Sequence, residues 1–349
     1  MRNLATIRRI DELLPIEGAD LIVLAKIDGW QAVVKKGEFH VGELCIYCEV
    51  DSFLPDGNPA WQHLVEKSSR VFEANKGHRL KTIKLRGQLS QGFVCSLSIL
   101  GSTNGTLPVG TDVTSDLGIK KWEAHIPAEL AGMVRGNFPS FISKTDQERC
   151  QNIGVDIFAD PASKYEVSLK LDGTSFTAYY NNGDTGVCSR NWELTVDETN
   201  GGNSLVRMFI DSGLQTVLAS LRQNYAVQGE LMGPGIQQNR EGLSTTKLYI
   251  FDIYDIDQAS YLSPSSRRGF VDNMHIFGLD RKMAEHVPII AHTANLMDTL
   301  GIQTVADLLK FAEGPSITHP VREGLVFKRV DGKFSFKAIS NAYLLKEKD

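Results

Sequence analysis

The chain is 349 residues long, is 42% hydrophobic, and carries 37 Lys and Arg against 42 Asp and Glu, for a formal net charge of -5. That is room for two ordinary domains in a water-soluble globular protein, and it argues against a chain that coats nucleic acid over its whole surface while leaving space for a local basic groove. No apolar run approaches the roughly 20 residues of a membrane helix, and Arg8, Arg9, Asp11 and Glu12 interrupt the start where a signal peptide would need an apolar core.

Five cysteines, odd in number and scattered, fit a reducing compartment, so the expected location is the cytoplasm, or the nucleus in a eukaryote. Cys45 and Cys48 form a lone C-x-x-C inside ELCIYCEV, which reads as a buried apolar strand rather than a metal or redox pair. The first hundred residues read as short strands. LIVLAKIDGW and WQAVVKKGEF form a strand pair, ELCIYCEVDSFLP a further strand, and RLKTIKLRGQLSQGFVCSL two more, punctuated by Gly29, Gly37, Gly42, Pro55 and Gly57. Several short strands in so few residues predict a small β-barrel. Lys76, His78, Arg79, Lys81, Lys84 and Arg86 crowd one segment, a candidate face for a nucleic-acid strand; the plainer alternative is a solvated charged strand.

A looser stretch with GSTNGTLPVG follows and is expected to join two domains, giving 1–105, a linker 106–141, and 142–349. In the second part YEVSLKL, the turn Asp172-Gly173 and TSFTAYY predict a hairpin, with Phe176, Ala178 and Tyr180 alternating on one face. NNGDT leads into GVCSRNWEL, and Ser204 to Arg222 reads as one amphipathic helix. YAVQGELMG and KLYIFDIYDI are two apolar strands. Thr304 is a candidate N-cap for a helix to about Phe311, and EGLVFKRV, Asp331-Gly332 and KFSFKAIS form a last hairpin.

The chemistry starts at Lys170 in SLKLDGTS. A strand that ends at a Lys beside a D-G turn places one amine at the mouth of a sheet next to a carboxylate. Such an amine is a covalent nucleophile once it loses its proton, which its ordinary pKa of about 10.4 opposes and a nearby divalent cation would favour. Glu230 and Glu323 sit in apolar strand contexts where an unpaired acid is costly, which marks them as functional candidates. Phe251, Arg190 and Lys337, each taken singly, read as a core aromatic and two strand-edge cations.

As an ordered series these residues resemble the covalent nucleotidyltransferase superfamily of DNA ligases, RNA ligases and capping enzymes. Lys170 and Asp172 match the nucleophile and acid of its K-x-D-G motif. Arg190 in CSRN matches the ribose- or phosphate-binding Arg, Glu230 in QGELMG the acid of the third motif, and Phe251 in YIFDIYD the base-stacking aromatic. Glu323 in REGLVFK matches the acid of the fourth motif and Lys337 in SFKAIS the Lys of the fifth. Every match is expected on a strand. The resemblance implies an ATP and AMP site built from Lys170, Asp172, Gly173, Arg190, Glu230, Phe251, Glu323 and Lys337. It also implies Mg²⁺ or Mn²⁺ held by Asp172, Glu230 and Glu323, directly or through water.

Thr174 and Ser175 stand where DNA ligases and capping enzymes usually have an Arg two positions after the motif, and only 12 residues follow Lys337, too few for those enzymes' C-terminal barrel. With a barrel at the N-terminus instead, nearly the whole chain is similar to RNA ligases of the Deinococcus/Naegleria type. The implied fold is α+β: an N-terminal OB-type β-barrel, then an antiparallel-sheet nucleotidyltransferase domain. The implied activity is ATP-dependent sealing of RNA 3′-OH and 5′-phosphate ends in RNA repair, through a lysyl-AMP and an adenylated 5′ end, by a monomer acting on RNA ends such as those of a nicked duplex, with no membrane partner. Lys76, Arg79, Lys81, Lys84 and Arg86 would then contact RNA. Ile339 stands where many relatives carry a second Lys, a role that Lys346 could take. The alternatives are a DNA nick ligase, a capping-type guanylyltransferase, or a non-catalytic OB-type RNA-binding protein.

Overall fold

The computed structural model describes residues 3–101, 107–122, 132–197 and 201–346. It divides into two compact units, Met1–His125 and Ile126–Lys346. The division falls within the stretch expected to connect two domains, of which 106 and 123–131 lie outside the described residues. No described helix is long and apolar enough to cross a membrane.

In the first unit the strand Leu44–Cys48 lies between Ala5–Arg9 and Phe93–Cys95. Its side chains alternate between two cores. Cys45 and Tyr47 join Trp30, Ala32 and Val34 of the predicted strand pair, whereas Ile46 and Cys48 join Leu4, Ile7 and Trp61. Successive strand side chains point to opposite faces, so two cysteines three positions apart cannot serve one metal. Burial pushes the Cys45 thiol up to about 12. The pair is core, as its apolar context indicated.

Two expectations need correction here. ELCIYCEVDSFLP is not one strand: Asp51 takes a positive φ of 67° and the chain restarts as Ser52–Pro55 in a different sheet. RLKTIKLRGQLSQGFVCSL contains three strands, Thr82–Leu85, Gln88–Gln91 and Phe93–Cys95. Arg86 and Gly87, both at positive φ, close the first two into a hairpin.

The second unit is built on two sheets. One has eight strands, in spatial order Val134–Asn137, Trp192–Leu194, Asp184–Cys188, Thr174–Asn181, Tyr225–Met232, Lys247–Asp255 and Ser260–Tyr261, with Ala284–His286 beside Lys247–Asp255. The other has five: Glu148–Arg149, Ser335–Ile339, Gly324–Arg329, Lys164–Lys170 and Ile289–Asn295. Phe176 and Ala178 pack with the helices Ser204–Asp211 and Leu214–Leu221 in the largest core, with Tyr180 at its margin, and Tyr179 turns to a separate cluster.

The predicted hairpin across Asp172-Gly173 does not form. Lys164–Lys170 pairs with Gly324–Arg329 and Ile289–Asn295, whereas Thr174–Asn181 pairs with Asp184–Cys188 and Tyr225–Met232. The D-G dipeptide is thus a crossover between the two sheets. Non-local pairing partners decided this, and a local turn signal carries no information about them.

The single helix expected over Ser204–Arg222 is two helices. Ser212 donates its hydroxyl back to the Met208 carbonyl, and Gly213 sits at φ 78° with the Gly278 backbone so close that a Cβ would lie 2.9 Å from its oxygen. The break lets each short helix follow the sheet beneath. Thr304 does cap the helix Val305–Phe311, with a reciprocal Asp307 capping box. Thr304→Ala is expected to lower stability by about 1 kcal/mol, read as a shift in urea midpoint at constant slope.

Candidate active site

Strand register in the five-stranded sheet assembles one polar face. Lys170 lies opposite Gly324, which lies opposite Ile339; Ser168, Val326 and Lys337 form the next row, and Glu166, Lys328 and Ser335 the one after. Because side chains alternate, Leu169, Val167, Phe327 and Phe336 turn to the opposite, apolar face. Lys170 and Lys337 therefore share a face one row apart. Ile339 shares the row of Lys170 but is only 5% exposed, so a buried apolar side chain stands where the resemblance would expect a second cation. Lys346, the expected substitute, is exposed at the end of the helix Asn341–Lys346.

The crossover brings the second sheet's acid to this face. Glu230 lies opposite Ser175 on the next strand, and its Oε1 accepts from the Gly173 amide at 3.1 Å. A Cβ on Gly173 would meet the Leu231 carbonyl oxygen at 2.4 Å, and one on Gly324 would meet the Ala338 oxygen at 2.2 Å. Both motif glycines are there because backbones approach too closely for any side chain.

Lys170 Nζ donates to Glu323 Oε1 at 2.6 Å across 153 residues of sequence. Burial works against the ammonium, yet Glu323, Glu230 and Asp172 outweigh it and hold the Lys170 pKa above its ordinary value. At neutral pH the amine is protonated until something neutralises those acids. Burial pushes Glu230 up to about 7, against the pull of Lys170. The second oxygen of Glu323, Oε2, is buried without a hydrogen-bond partner. An anionic oxygen without a donor is what a cation satisfies, so the donor chemistry fits a divalent ion. Among the described residues, however, no three His, Cys, Asp or Glu side chains stand close enough to hold a metal by themselves. Water and phosphate oxygens would have to complete its shell.

The other expected residues are placed less uniformly. Phe251 is half-buried on its strand, with Lys328 Nζ 5.5 Å from its ring centroid. Lys337 lies on Ser335–Ile339, beside Arg149 of the parallel strand. Two matches expected on strands are not. Arg190 sits in the turn between Asp184–Cys188 and Trp192–Leu194 and pairs with Asp146 at 2.7 Å, with its side chain 62% exposed. Glu323 lies in the bend just before Gly324–Arg329. Leaving the ladder frees its side chain to turn toward Lys170.

Within the first unit, Lys76 pairs with Asp56 at 3.7 Å and Arg79 with Asp51 at 2.7 Å, Arg79 also lying 5.7 Å over the Trp122 ring. Lys81, Lys84 and Arg86 are exposed, and no acid among the described residues pairs with them. The net cationic character of this segment thus sits on Lys81 and on the Thr82–Gln91 hairpin that follows it.

Sequence reasoning missed a buried ionic network behind the site. Lys328 Nζ donates to Asp252 Oδ2 and to the Phe251 carbonyl, both at 2.6 Å. Arg267 and Arg268, on the helix Pro264–Ile276, pair with Glu166, and Arg267 Nη1 lies 3.7 Å from Asp252. Burial, aided by the neighbouring Arg267, pushes the Lys328 pKa down to about 8 despite Asp252. The available signal was Glu166 in YEVSLKL and Lys328 in GLVFKRV, charges inside apolar strands that must find partners.

An RNA ligase family model matches residues 163–339, and an OB-fold domain model matches residues 4–97. Solved structures of Naegleria gruberi RNA ligase resemble the chain over its whole length. A variant with ATP and Mn is 44% identical, covers 99% of each chain, and has a TM-score of 0.84. A variant with AMP and Mn is 45% identical over 100% of each chain with a TM-score of 0.85, and the enzyme with pyrophosphate is 44% identical over 99% of each at 0.83. No curated protein matches the chain in sequence. The expected fold, an N-terminal OB-type domain followed by a sheet-rich catalytic domain, is the one found.

Proposed function

The chain belongs to the RNA ligase family, and from that premise we propose how its residues seal RNA. It is an ATP-dependent RNA ligase, and the solved relatives that bind ATP or AMP with Mn support the use of a divalent metal. The observation that carries the residue assignment is the Lys170–Glu323 hydrogen bond, with Glu230 on the same face and the orphan oxygen of Glu323 beside it.

Lys170 Nζ, once deprotonated, attacks the α-phosphate of ATP; the new P–N bond forms as the bond to pyrophosphate breaks. AMP then passes from Lys170 to the 5′-phosphate of an RNA end. The 3′-OH of the second end attacks that phosphate, the phosphodiester forms, and AMP leaves. Glu323, Glu230 and Asp172 would hold Mg²⁺ or Mn²⁺, directly or through water. Bound there, the ion supplies positive charge that offsets the triphosphate and removes the field keeping a proton on Lys170. Lys337, one row along the same face, offsets charge developing on the α-phosphate. Phe251 offers the purine an apolar face, and Arg190 reaches a ribose or phosphate after exchanging Asp146 for it.

Lys81 and the Thr82–Gln91 hairpin that follows it, through Lys84 and Arg86, contact the RNA backbone, with Lys76 and Arg79 at the margin. The substrate is a pair of RNA ends, as at a nick in a duplex, and the enzyme acts as a monomer in cytoplasmic RNA repair.

Nicked duplexes that differ only in the sugar on the 3′-OH side test the substrate assignment. Sealing is expected with ribonucleotides there and at least about tenfold less with deoxyribonucleotides, the discrimination that one buried hydroxyl contact of about 1.5 kcal/mol supplies. Equal sealing of an all-DNA nick would move the enzyme to the DNA ligases. Labelling with GTP in place of ATP would move it to the capping enzymes.

A further inference from the structure

Glu323 is the acid that touches the Lys170 amine, yet it lies in a bend, outside the ladder that fixes the other strand residues. A carboxylate on an irregular segment must be immobilised by something else if it is to act on a reacting atom. Its neighbour does this. Arg322 is 8% exposed and spends its guanidinium on the end of the helix Val305–Phe311, donating to the carbonyls of Phe311 at 2.7 Å, Ala312 at 2.9 Å and Glu313 at 2.6 Å. Phe311 and the C-cap Ala312 carry carbonyls that a helix end leaves without partners, at the negative end of its dipole, and Glu313 follows them. The Arg322 amide adds a bond to the Gly314 carbonyl at 2.8 Å.

The contacts close into a ring. Glu313, whose carbonyl Arg322 holds, uses its carboxylate to accept from the Ser340 hydroxyl at 2.8 Å and from the Asn341 and Ala342 amides at 2.8 and 3.2 Å. The Ser340 amide donates at 2.9 Å to the carbonyl of Glu323 itself. Glu323 is thus gripped on both sides of its α-carbon, by the peptide bond to Arg322 and by its own carbonyl on Ser340.

We infer that Arg322, with Glu313 and Ser340 completing the ring, is a positioning residue that aims the Glu323 carboxylate at Lys170 during nucleotide transfer, an inference that rests on Lys170 being the nucleophile. Arg is suited to the task because its planar fork addresses three carbonyls at fixed angles, which an ammonium cannot do. A misplacement of the order of 1 Å at a reacting group costs roughly 100-fold in rate. The ring residues themselves make no assigned contact with ATP, so losing the ring acts more on the chemical step than on ATP affinity.

The test is the single-turnover rate of lysyl-AMP formation as a function of ATP concentration, in full-length Arg322→Met, Arg322→Lys and Ser340→Ala. In Arg322→Met the rate at saturating ATP should fall roughly 100-fold, with the half-saturating ATP concentration little moved. Arg322→Lys should recover part of that rate, and Ser340→Ala should show a smaller loss of the same kind. A folded Arg322→Met with the wild-type rate overturns the inference, as does a loss confined to half-saturation. Should Arg322→Met fail to fold, wild-type rates in both Arg322→Lys and Ser340→Ala overturn it equally. Absence of any adduct in the wild-type enzyme would instead sink the assignment of Lys170, so the two failures are told apart.

Discussion

Lys170→Ala is expected to abolish the nucleotide adduct and to cut sealing of RNA ends by on the order of 10⁴-fold or more, since the proposed intermediate forms on this amine. Lys170→Arg should be as inactive, because a guanidinium keeps its proton under any condition the enzyme survives. Intact-mass spectrometry after treatment with ATP and Mg²⁺ or Mn²⁺ reads the adduct directly, and peptide mapping places it. A strand whose 5′-phosphate already carries AMP needs no lysine for the last step, so Lys170→Ala should still join it. An adduct of normal yield on the Ala variant would remove Lys170 from the mechanism. The geometry behind the expectation is specific: among the cations of the polar sheet face, Lys170 is the one held at 2.6 Å by Glu323, with acids around it that keep it protonated until charge arrives.

Arg267→Met should be the most destabilising of the changes considered, costing about 3–5 kcal/mol. Arg267 is 1% exposed and faces Glu166, itself 1% exposed, with Asp252 3.7 Å away. Removing the cation leaves the buried Glu166 with Arg268 alone and Asp252 with Lys328 alone, and a buried carboxylate that loses part of its compensation costs more than the intact contact contributes. Equilibrium urea unfolding of the variant measures this, and a loss under about 1 kcal/mol would show that water reaches the network. The network also predicts acid sensitivity. His286 accepts from Arg267 Nε at 3.0 Å, and burial together with Arg267 holds its pKa down from 6.5 to about 3. The unfolded chain therefore binds more protons between those values, and stability should fall as pH drops from about 6.5 toward 3. In Arg267→Met that contribution should shrink. Because Glu166 and Lys328 belong to one sheet, and Asp252 to the other, the network ties together the two sheets that carry Lys170 and Glu230.

Most strands were legible from their own residues. The alternation in TSFTAYY and the N-cap at Thr304 are local signals, and each appears where it was expected. Local signals failed where the chain's neighbours lie far away in sequence. Asp172-Gly173 has the composition of a hairpin turn, yet Lys164–Lys170 pairs with strands more than about 120 positions away, whereas Thr174–Asn181 pairs with the adjacent Asp184–Cys188 and with Tyr225–Met232, so the dipeptide became the crossing between sheets. Ser204–Leu221 has one helical periodicity, but the close approach of Gly278 bends it at Gly213.

The site divides in the same way. The sequence by itself determined which residues are the candidates for the chemistry, because a nucleophile, its acids and a phosphate-binding cation must be particular residue types, and their order stands in the chain as KLDG, GELMG, REGLVF and SFKAIS. Only the tertiary structure decided how they act together. Register placed Lys337 one row from Lys170 and buried Ile339, leaving the bend placed Glu323 on the amine, and Arg322 with Glu313 and Ser340 closed behind it. A residue's type is written in one position, but the field around an amine is a sum over groups that only folding brings within a few ångströms.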